Sequence, residues 1–245
     1  RMTKRTRPLS ALAALELDRT TFPAFRERIV QAEAEPVVHA PRSYPGYPRV
    51  ALPRSKPRLV TRLDRVLASR RSRRELSTNL PSRSELGRIL QFAHAASGEQ
   101  GQGPTPSAGS LNALELYLVT FAPGWLEPGH YHYDRKEHAL SRLERCALRA
   151  RWEELVPSSV QFRGGALFWV LAADATRAEA KYGARAARFL LLEAGHLMQN
   201  LCLLSESVGL CTLPLGGFFE REIARALPLG PTDAVLYVGV LGAPC

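Results

Sequence analysis

Residues 165–174 read GALFWVLAAD, an apolar run with no polar alternation. A run of this length between glycines and an aspartate is a strand, and one apolar on both faces belongs in the interior of a sheet. A second run of the same kind, AVLYVGVLG at 234–242, lies near the end of the chain. Between them, Thr176 and Glu179 stand at capping-box spacing and open one long helix to Val208, with Gly209 placed to close it. Two buried strands around a long apolar helix set the expected fold: α+β, a mixed sheet wrapped by helices around a long central helix.

The rest of the chain divides at about residue 58. Residues 1–58 are expected to form a short helix over Thr20–Glu35, with Thr21 as N-cap, and then a proline-rich extended arm, EPVVHAPRSYPGYPRVALPRSKPR. Such an arm has no core of its own and would lie across the main domain or a second subunit. Residues 59–245 read as one domain. Helices are expected at Leu59–Ala68 and Ser82–Ala96, the second with Glu85 three residues after its Ser82 cap. ELYLVTF (Glu115–Phe121) and HYHYD (His130–Asp134) read as a hairpin, with His130 and His132 on one solvent-facing side. Residues 138–163 read as helical and polar, TLPLGGFF as a glycine loop and EREIARAL as a short helix.

With 245 residues the chain buries enough surface to need neither disulfide nor metal. Its four cysteines show no CxxC and no metal-ligand spacing, which fits a reduced, cytoplasmic protein. The longest apolar run is far shorter than a membrane span, and Glu16 and Asp18 interrupt an N-terminal segment that imitates a signal peptide. The formal net charge of +10 points to an anionic partner or to a well-solvated basic surface.

Four segments could carry chemistry. In SRRSRRELS, Arg70, Arg71, Arg73 and Arg74 surround Ser72; guanidinium forks and a hydroxyl suit a phosphate dianion, although a solvated basic turn has the same composition. No aromatic is interleaved to stack on bases, which counts against nucleic acid. PTPSAGSLNALE sets a tight loop in which Ser107 or Ser110 would cap a following helix, leaving amides for an anion or an electron-rich ring, or simply forming a cap. The paired glycines of TLPLGGFFE would let backbone approach a flat ligand or would form an ordinary loop. In the long helix, Glu193, His196 and Asn200, with Gln199 beside them, are polar residues in apolar surroundings and need partners. Earlier in that helix Lys181 and Tyr182 form a pair, and Arg177, Lys181, Arg185 and Arg188 would fall within about 80° on one face, at some cost in repulsion.

The order R-R-S-x-R, P-S-A-G before LELYLV, K-Y-G, E-A-G-H-x-x-Q-N-L and P-x-G-G-F resembles the nitroreductase superfamily, and within it the SagB-type, azoline dehydrogenase-like enzymes. The resemblance covers about Leu59 to Gly242. It implies FMN as cofactor and a homodimer with flavin at the interface. It places Arg70 and Ser72 at the FMN phosphate, with Arg71 in the same run, and Arg74 near the pyrimidine side of the ring. Pro106, Ser107 and Ala108 would contact flavin across the dimer interface, Leu215, Gly216 and Gly217 would bring backbone to its N5, and Gln199 joins the cofactor set. Lys181 and Tyr182 would be catalytic in azoline oxidation, with the cationic stripe beside an anionic cofactor helping Lys181 to act as a base. Asn112 stands where relatives have a histidine. Residues 1–58 are expected to be too short for the leader-binding domain of some azoline dehydrogenases.

The implied function is oxidation of thiazoline or oxazoline rings in peptide natural-product biosynthesis, with oxygen reoxidising the flavin. An NAD(P)H-dependent nitro or quinone reductase, or a non-catalytic flavin-bound scaffold, would use the same cofactor site. The partners implied are a second copy, a small-molecule or peptide substrate, and a biosynthetic cyclodehydratase or carrier, with no nucleic acid and no membrane.

Overall fold

The computed structural model of the chain describes residues 22–34, 41–57, 62–97, 101–145 and 148–245. The expected cap Thr21, the start of the helix expected at Leu59 and Cys146 lie outside the described residues. A seven-stranded sheet forms the centre, in the order β1 (Arg49–Ala51), β5 (Ala139–Glu144), β4 (Gly129–Asp134), β3 (Leu114–Thr120), β7 (Leu167–Asp174), β9 (Asp233–Gly242), β8 (Cys211–Leu215). Every ladder of this sheet is antiparallel. Among the described residues, parallel pairing is confined to a two-residue ladder between β2 (Glu75–Leu76) and β6 (Arg163–Gly164). The fold is α+β, as expected.

The apolar run of β7 works as its lack of alternation predicts. Leu167, Trp169, Leu171 and Ala173 face one layer, with α3 (Arg83–His94) and α6 (Ala186–Glu206). Phe168, Val170 and Ala172 face the other, where α4 (Arg149–Leu155) supplies Trp152 and Leu155 and α7 (Glu220–Ala226) supplies Ile223. β3 alternates in the same way, Leu114, Leu116 and Leu118 against Tyr117 and Val119. Each such side chain contributes roughly 1.5–3 kcal/mol on full burial, so the two layers hold the centre of the sheet rigid. The capping box of Ser82 and Glu85 opens α3 as its spacing predicts.

Several expectations are corrected. Residues 139–144 are strand β5, not helix: Asp134 accepts hydrogen bonds from Lys136 N and Glu137 N, His138 takes a left-handed φ of 53°, and this tight turn returns the chain onto β4. Among the described residues, helix in that region is limited to α4 and a 3-10 turn at Pro157–Gln161. The first part of TLPLGGFF is an edge strand, β8, and only Gly216–Phe219 is loop. His130 and His132 are buried, not solvated. The arm is the reason for His132: Tyr44 lies edge-on to its ring, while Arg42 is bidentate on Asp233 and also donates to the Tyr117 hydroxyl.

The long helix of the sequence is two helices. Asp174, rather than Thr176, caps α5 (Ala175–Tyr182), accepting from the Thr176 amide and hydroxyl. Gly183, at φ 54° and ψ −138°, ends it, and a 3-10 turn at Gly183–Arg185 leads into α6. That backbone geometry suits glycine, which has no Cβ to clash. Arg177, Lys181, Arg185 and Arg188 therefore do not line one helical face. Arg177 turns into the sheet instead, 3.3 Å from Asp174 and 3.6 Å from Glu115.

Candidate active site

Two clusters border α6. The first is the loop of residues 104–113 with the end of α5. The loop contains no α-helix, so Ser107 and Ser110 are not helix caps as expected; a 3-10 turn at Ala108–Ser110 leads to β3. Gly109, Ser110 and Asn112 all take left-handed φ, 57°, 54° and 47°. For a serine this costs of order 1 kcal/mol or more, so the surroundings must enforce it. Three α6 side chains hold the residues that lead into this turn, one loop residue each. Asn200 Nδ2 donates to Thr105 Oγ1 at 3.1 Å, His196 Nδ1 donates to Pro106 O at 3.4 Å, and Glu193 Oε2 accepts from Ser107 Oγ at 2.7 Å. Ser107 Oγ in turn accepts from Asn112 N at 2.8 Å. The polar residues at i, i+3 and i+7 of the helix are thus a ladder along the loop.

Glu193 is 4% exposed, and burial pushes its carboxyl above the usual carboxylate range, opposed by Ser107, Arg135, the Leu114 backbone and His196. Arg135, also buried, donates to Asn112 Oδ1 at 3.1 Å and to His94 O at 3.2 Å. Arg135 is a residue the sequence did not single out; it follows a strand and reads as an ordinary hairpin arginine. The ladder brings Gly109 against α5: a Cβ built there would stand 2.5 Å from Tyr182 Oη and 2.8 Å from Lys181 Nζ. Tyr182 is buried beneath the Phe189 ring, at 4.5 Å between centroids, while Lys181 is half-buried with its Nζ 5.8 Å from the Tyr182 ring centroid. Arg28 of α1 (Phe22–Ala34) lies over Gly183 and donates to Glu179 O at 3.5 Å. The structure therefore joins Lys181 and Tyr182 to the loop of Pro106, Ser107 and Ala108.

The second cluster follows α2 (Leu63–Ser69). Arg70 is half-buried; burial pushes the Cys202 and Cys211 thiols up, opposed in part by the Arg70 charge at Cys202 and by Arg73 and Arg70 at Cys211. Arg71 folds back onto Ala68 O and Arg70 O, closing the end of α2. Among the described residues the side chains of Ser72, Arg73 and Arg74 make no hydrogen bond and are exposed. The Cys211 thiol donates to Arg71 O, which fixes this run at the start of β8. Leu215 ends that strand about 13 Å further along, and Gly216 follows it. A Cβ on Gly216 would meet nothing within 4 Å, whereas the Gly217 carbonyl accepts from Ser158 N and Oγ. Gln199 is exposed on α6, one turn before Cys202. Exposed arginine and serine donors at the start of β8, with an open glycine beyond its end, fit a phosphate-bearing, flat ligand such as a flavin nucleotide. Arg71 fits less well, since its guanidinium is already committed to backbone.

Among the described residues no group of histidine, cysteine or carboxylate side chains could hold a metal ion, and no helix is long and apolar enough to cross a membrane.

The nitroreductase family model matches residues 67–243. MJ1384 of Methanocaldococcus jannaschii, a provisionally named nitroreductase, is 30% identical over 177 residues, covering 69% of this chain and 85% of that protein. McbC, the microcin B17-processing protein of Escherichia coli, is 27% identical over 145 residues, covering 57% of this chain and 53% of McbC. The Escherichia coli microcin synthetase McbBCD complex with truncated pro-MccB17 bound contains a chain of similar fold, with a TM-score of 0.63 at 19% identity over 99% of this chain and 100% of that one. A provisionally named nitroreductase from Anabaena variabilis has a TM-score of 0.70 at 26% identity, over 82% of this chain and 42% of that one.

Proposed function

This chain belongs to the nitroreductase family of oxidoreductases, and within it we propose an FMN-dependent azoline dehydrogenase, converting thiazoline or oxazoline rings of a peptide to azoles. The observation that carries this reading is the packing of Lys181 Nζ and Tyr182 Oη together against Gly109, in a loop tied to α6. A nitro or quinone reductase fed by NAD(P)H needs no such pair. The similarity to McbC, a microcin-processing protein, supports the same direction.

Arg70, Ser72 and Arg74 would hold the FMN phosphate and the edge of the ring, with Gly216 offering open backbone and Pro106, Ser107 and Ala108 a further wall. FMN, when bound, supplies a two-electron acceptor for the hydride that leaves the ring Cβ. Lys181 or Tyr182 takes the proton from the adjacent Cα, so that loss of a proton and a hydride leaves a ring double bond. A positioned base of this kind typically contributes 10²–10⁴-fold. Molecular oxygen would accept the electrons afterwards. A second copy of the chain would cover Leu63, Leu67, Leu191 and Leu192, large apolar side chains that are all more than half exposed on α2 and α6. The peptide would be delivered by a cyclodehydratase partner, as the presence of McbC with its pro-peptide in a synthetase complex suggests for this chain.

The alignment with MJ1384 across 85% of that protein favours the reductase as the second reading. Stopped-flow bleaching of the oxidised flavin separates the two. The dehydrogenase reading expects a thiazoline peptide to bleach it and NADPH to be slow. Bleaching by NADPH alone at turnover rates of order 1–10³ s⁻¹ would move the assignment to the reductase.

A further inference from the structure

Glu193, His196 and Asn200 hold three successive residues of one loop, Ser107, Pro106 and Thr105, so the loop runs antiparallel along α6 in a fixed register. The register has a steric consequence two residues on. Gly109 occupies the position facing Tyr182 Oη and Lys181 Nζ, where even a methyl group would stand within 2.8 Å of both. A slip of one residue in either direction would put Ala108 or Ser110 there, and neither fits without displacing the two side chains. Of the three rungs, Glu193 makes the shortest, accepting at 2.7 Å on a carboxyl group that is almost wholly buried. Its partner Ser107 passes the constraint onward by accepting from Asn112 N, across the left-handed turn that contains Gly109. Arg135 holds Asn112 from the other side.

We propose that Glu193 is a positioning residue for Lys181 and Tyr182: through Ser107 it fixes the register that leaves room for both side chains beside Gly109. The proposal rests on the reading of Lys181 and Tyr182 as the acid–base pair. Glu193 is hydrogen-bonded to Ser107. Its effect is transmitted by the loop, and it sets where the ammonium and the phenol can stand.

Lys181 reports on this directly. Trace acetylation of the full-length chain with acetic anhydride, read by mass spectrometry across pH, measures the reactivity of its Nζ without any turnover. Glu193→Ala and Ser107→Ala should each change the Lys181 labelling rate several-fold and displace its pH profile, while other lysines label as before. Glu193→Gln, which keeps an acceptor oxygen for Ser107, should restore the wild-type profile. Gly109→Ala should reproduce the effect of Glu193→Ala with the carboxylate in place, and it also serves if Glu193→Ala does not fold. Lys181 profiles identical to wild type in folded Ser107→Ala and Gly109→Ala would overturn the proposal. The two readings fail separately. If wild type leaves a thiazoline peptide untouched but the variants still shift Lys181 labelling, the reaction is wrong and the positioning stands. If wild type oxidises the peptide and labelling never moves, the positioning is wrong.

Discussion

Along the stretch of α6 from Glu193 to Asn200, Thr105, Pro106 and Ser107 are each bound by a helix side chain, and Arg135 and Glu193 are buried. In the run that follows α2, among the described residues, Ser72, Arg73 and Arg74 are exposed without a side-chain hydrogen bond, and beyond the end of β8 Gly216 faces open space. The first cluster is complete within the chain and stores backbone strain at Ser110 and Asn112. The second presents the donors of Ser72, Arg73 and Arg74 to solvent. Chemistry that depends on geometry belongs in the first, where position is already fixed. Affinity for an anion belongs in the second, where desolvating a few arginines is offset when a phosphate arrives.

The sharpest way to break that contrast is at Lys181 and Tyr182. Lys181→Ala and Tyr182→Phe should slow peptide-driven flavin bleaching by about 10²–10⁴-fold, while FMN content and reduction by dithionite stay as in wild type. Bleaching that survives both changes would remove the pair from the mechanism. The converse pattern is expected in the second cluster. Arg70→Ala with Ser72→Ala should weaken FMN binding by about 100-fold or more, since each charge-assisted hydrogen bond contributes roughly 1.5–3 kcal/mol. Equilibrium dialysis with FMN measures it, and wild-type affinity in the double variant would place the phosphate elsewhere.

The two regions were also unequally legible in the sequence. β7 and β9 could be read because a strand buried on both faces needs no alternation, and few other elements look like GALFWVLAAD. The loop at 104–110 was marked by proline and glycine, and the polar stripe of Glu193, His196 and Asn200 was visible as a demand for partners. Its partners were not, because Thr105 and Ser107 lie roughly 90 residues away in sequence. The break at Gly183 was hidden by a helical pattern that continues on both sides of a lone glycine. β5 was hidden because ALSRLE suits a helix as well as a strand, and the decision is made by the turn at Asp134 and His138. His132 looked solvated because its cover, Tyr44, comes from the arm.

The buried side of the contrast also predicts a pH response. His94 lies fully buried behind the loop, hydrogen-bonded to Leu114 O at 3.2 Å. Burial, with the nearby Arg135 charge, pushes its imidazole from the ordinary 6.5 down to about 3. The folded chain therefore keeps His94 neutral while the unfolded chain takes up a proton below about 6.5. Its stabilising effect is complete above that pH and is lost as pH falls toward 3, at up to about 1.4 kcal/mol per pH unit. Urea unfolding between pH 7 and 4 should show this slope, and His94→Gln, which keeps a donor but does not titrate, should flatten it. Equal slopes in the two proteins would mean that the imidazole is not held neutral.

The smallest expected effect tests the two glycines that stand for the two regions. Gly109 has φ 57° and two polar atoms within 2.8 Å of where a Cβ would be. Gly216 has nothing within 4 Å. An alanine at 109 must either strain a left-handed backbone or push Lys181 and Tyr182 aside, at about 1–3 kcal/mol. An alanine at 216 meets no protein atom and should change stability by less than about 0.5 kcal/mol, the usual size of a surface effect. The informative measurement is the same pair of variants with FMN added. Gly216→Ala should then lose affinity although its fold is untouched, because the methyl group occupies space that only a ligand would use. If Gly216→Ala binds FMN as wild type does, the open space beside β8 is ordinary solvent, and the cofactor must lie against some other surface of the arginine run.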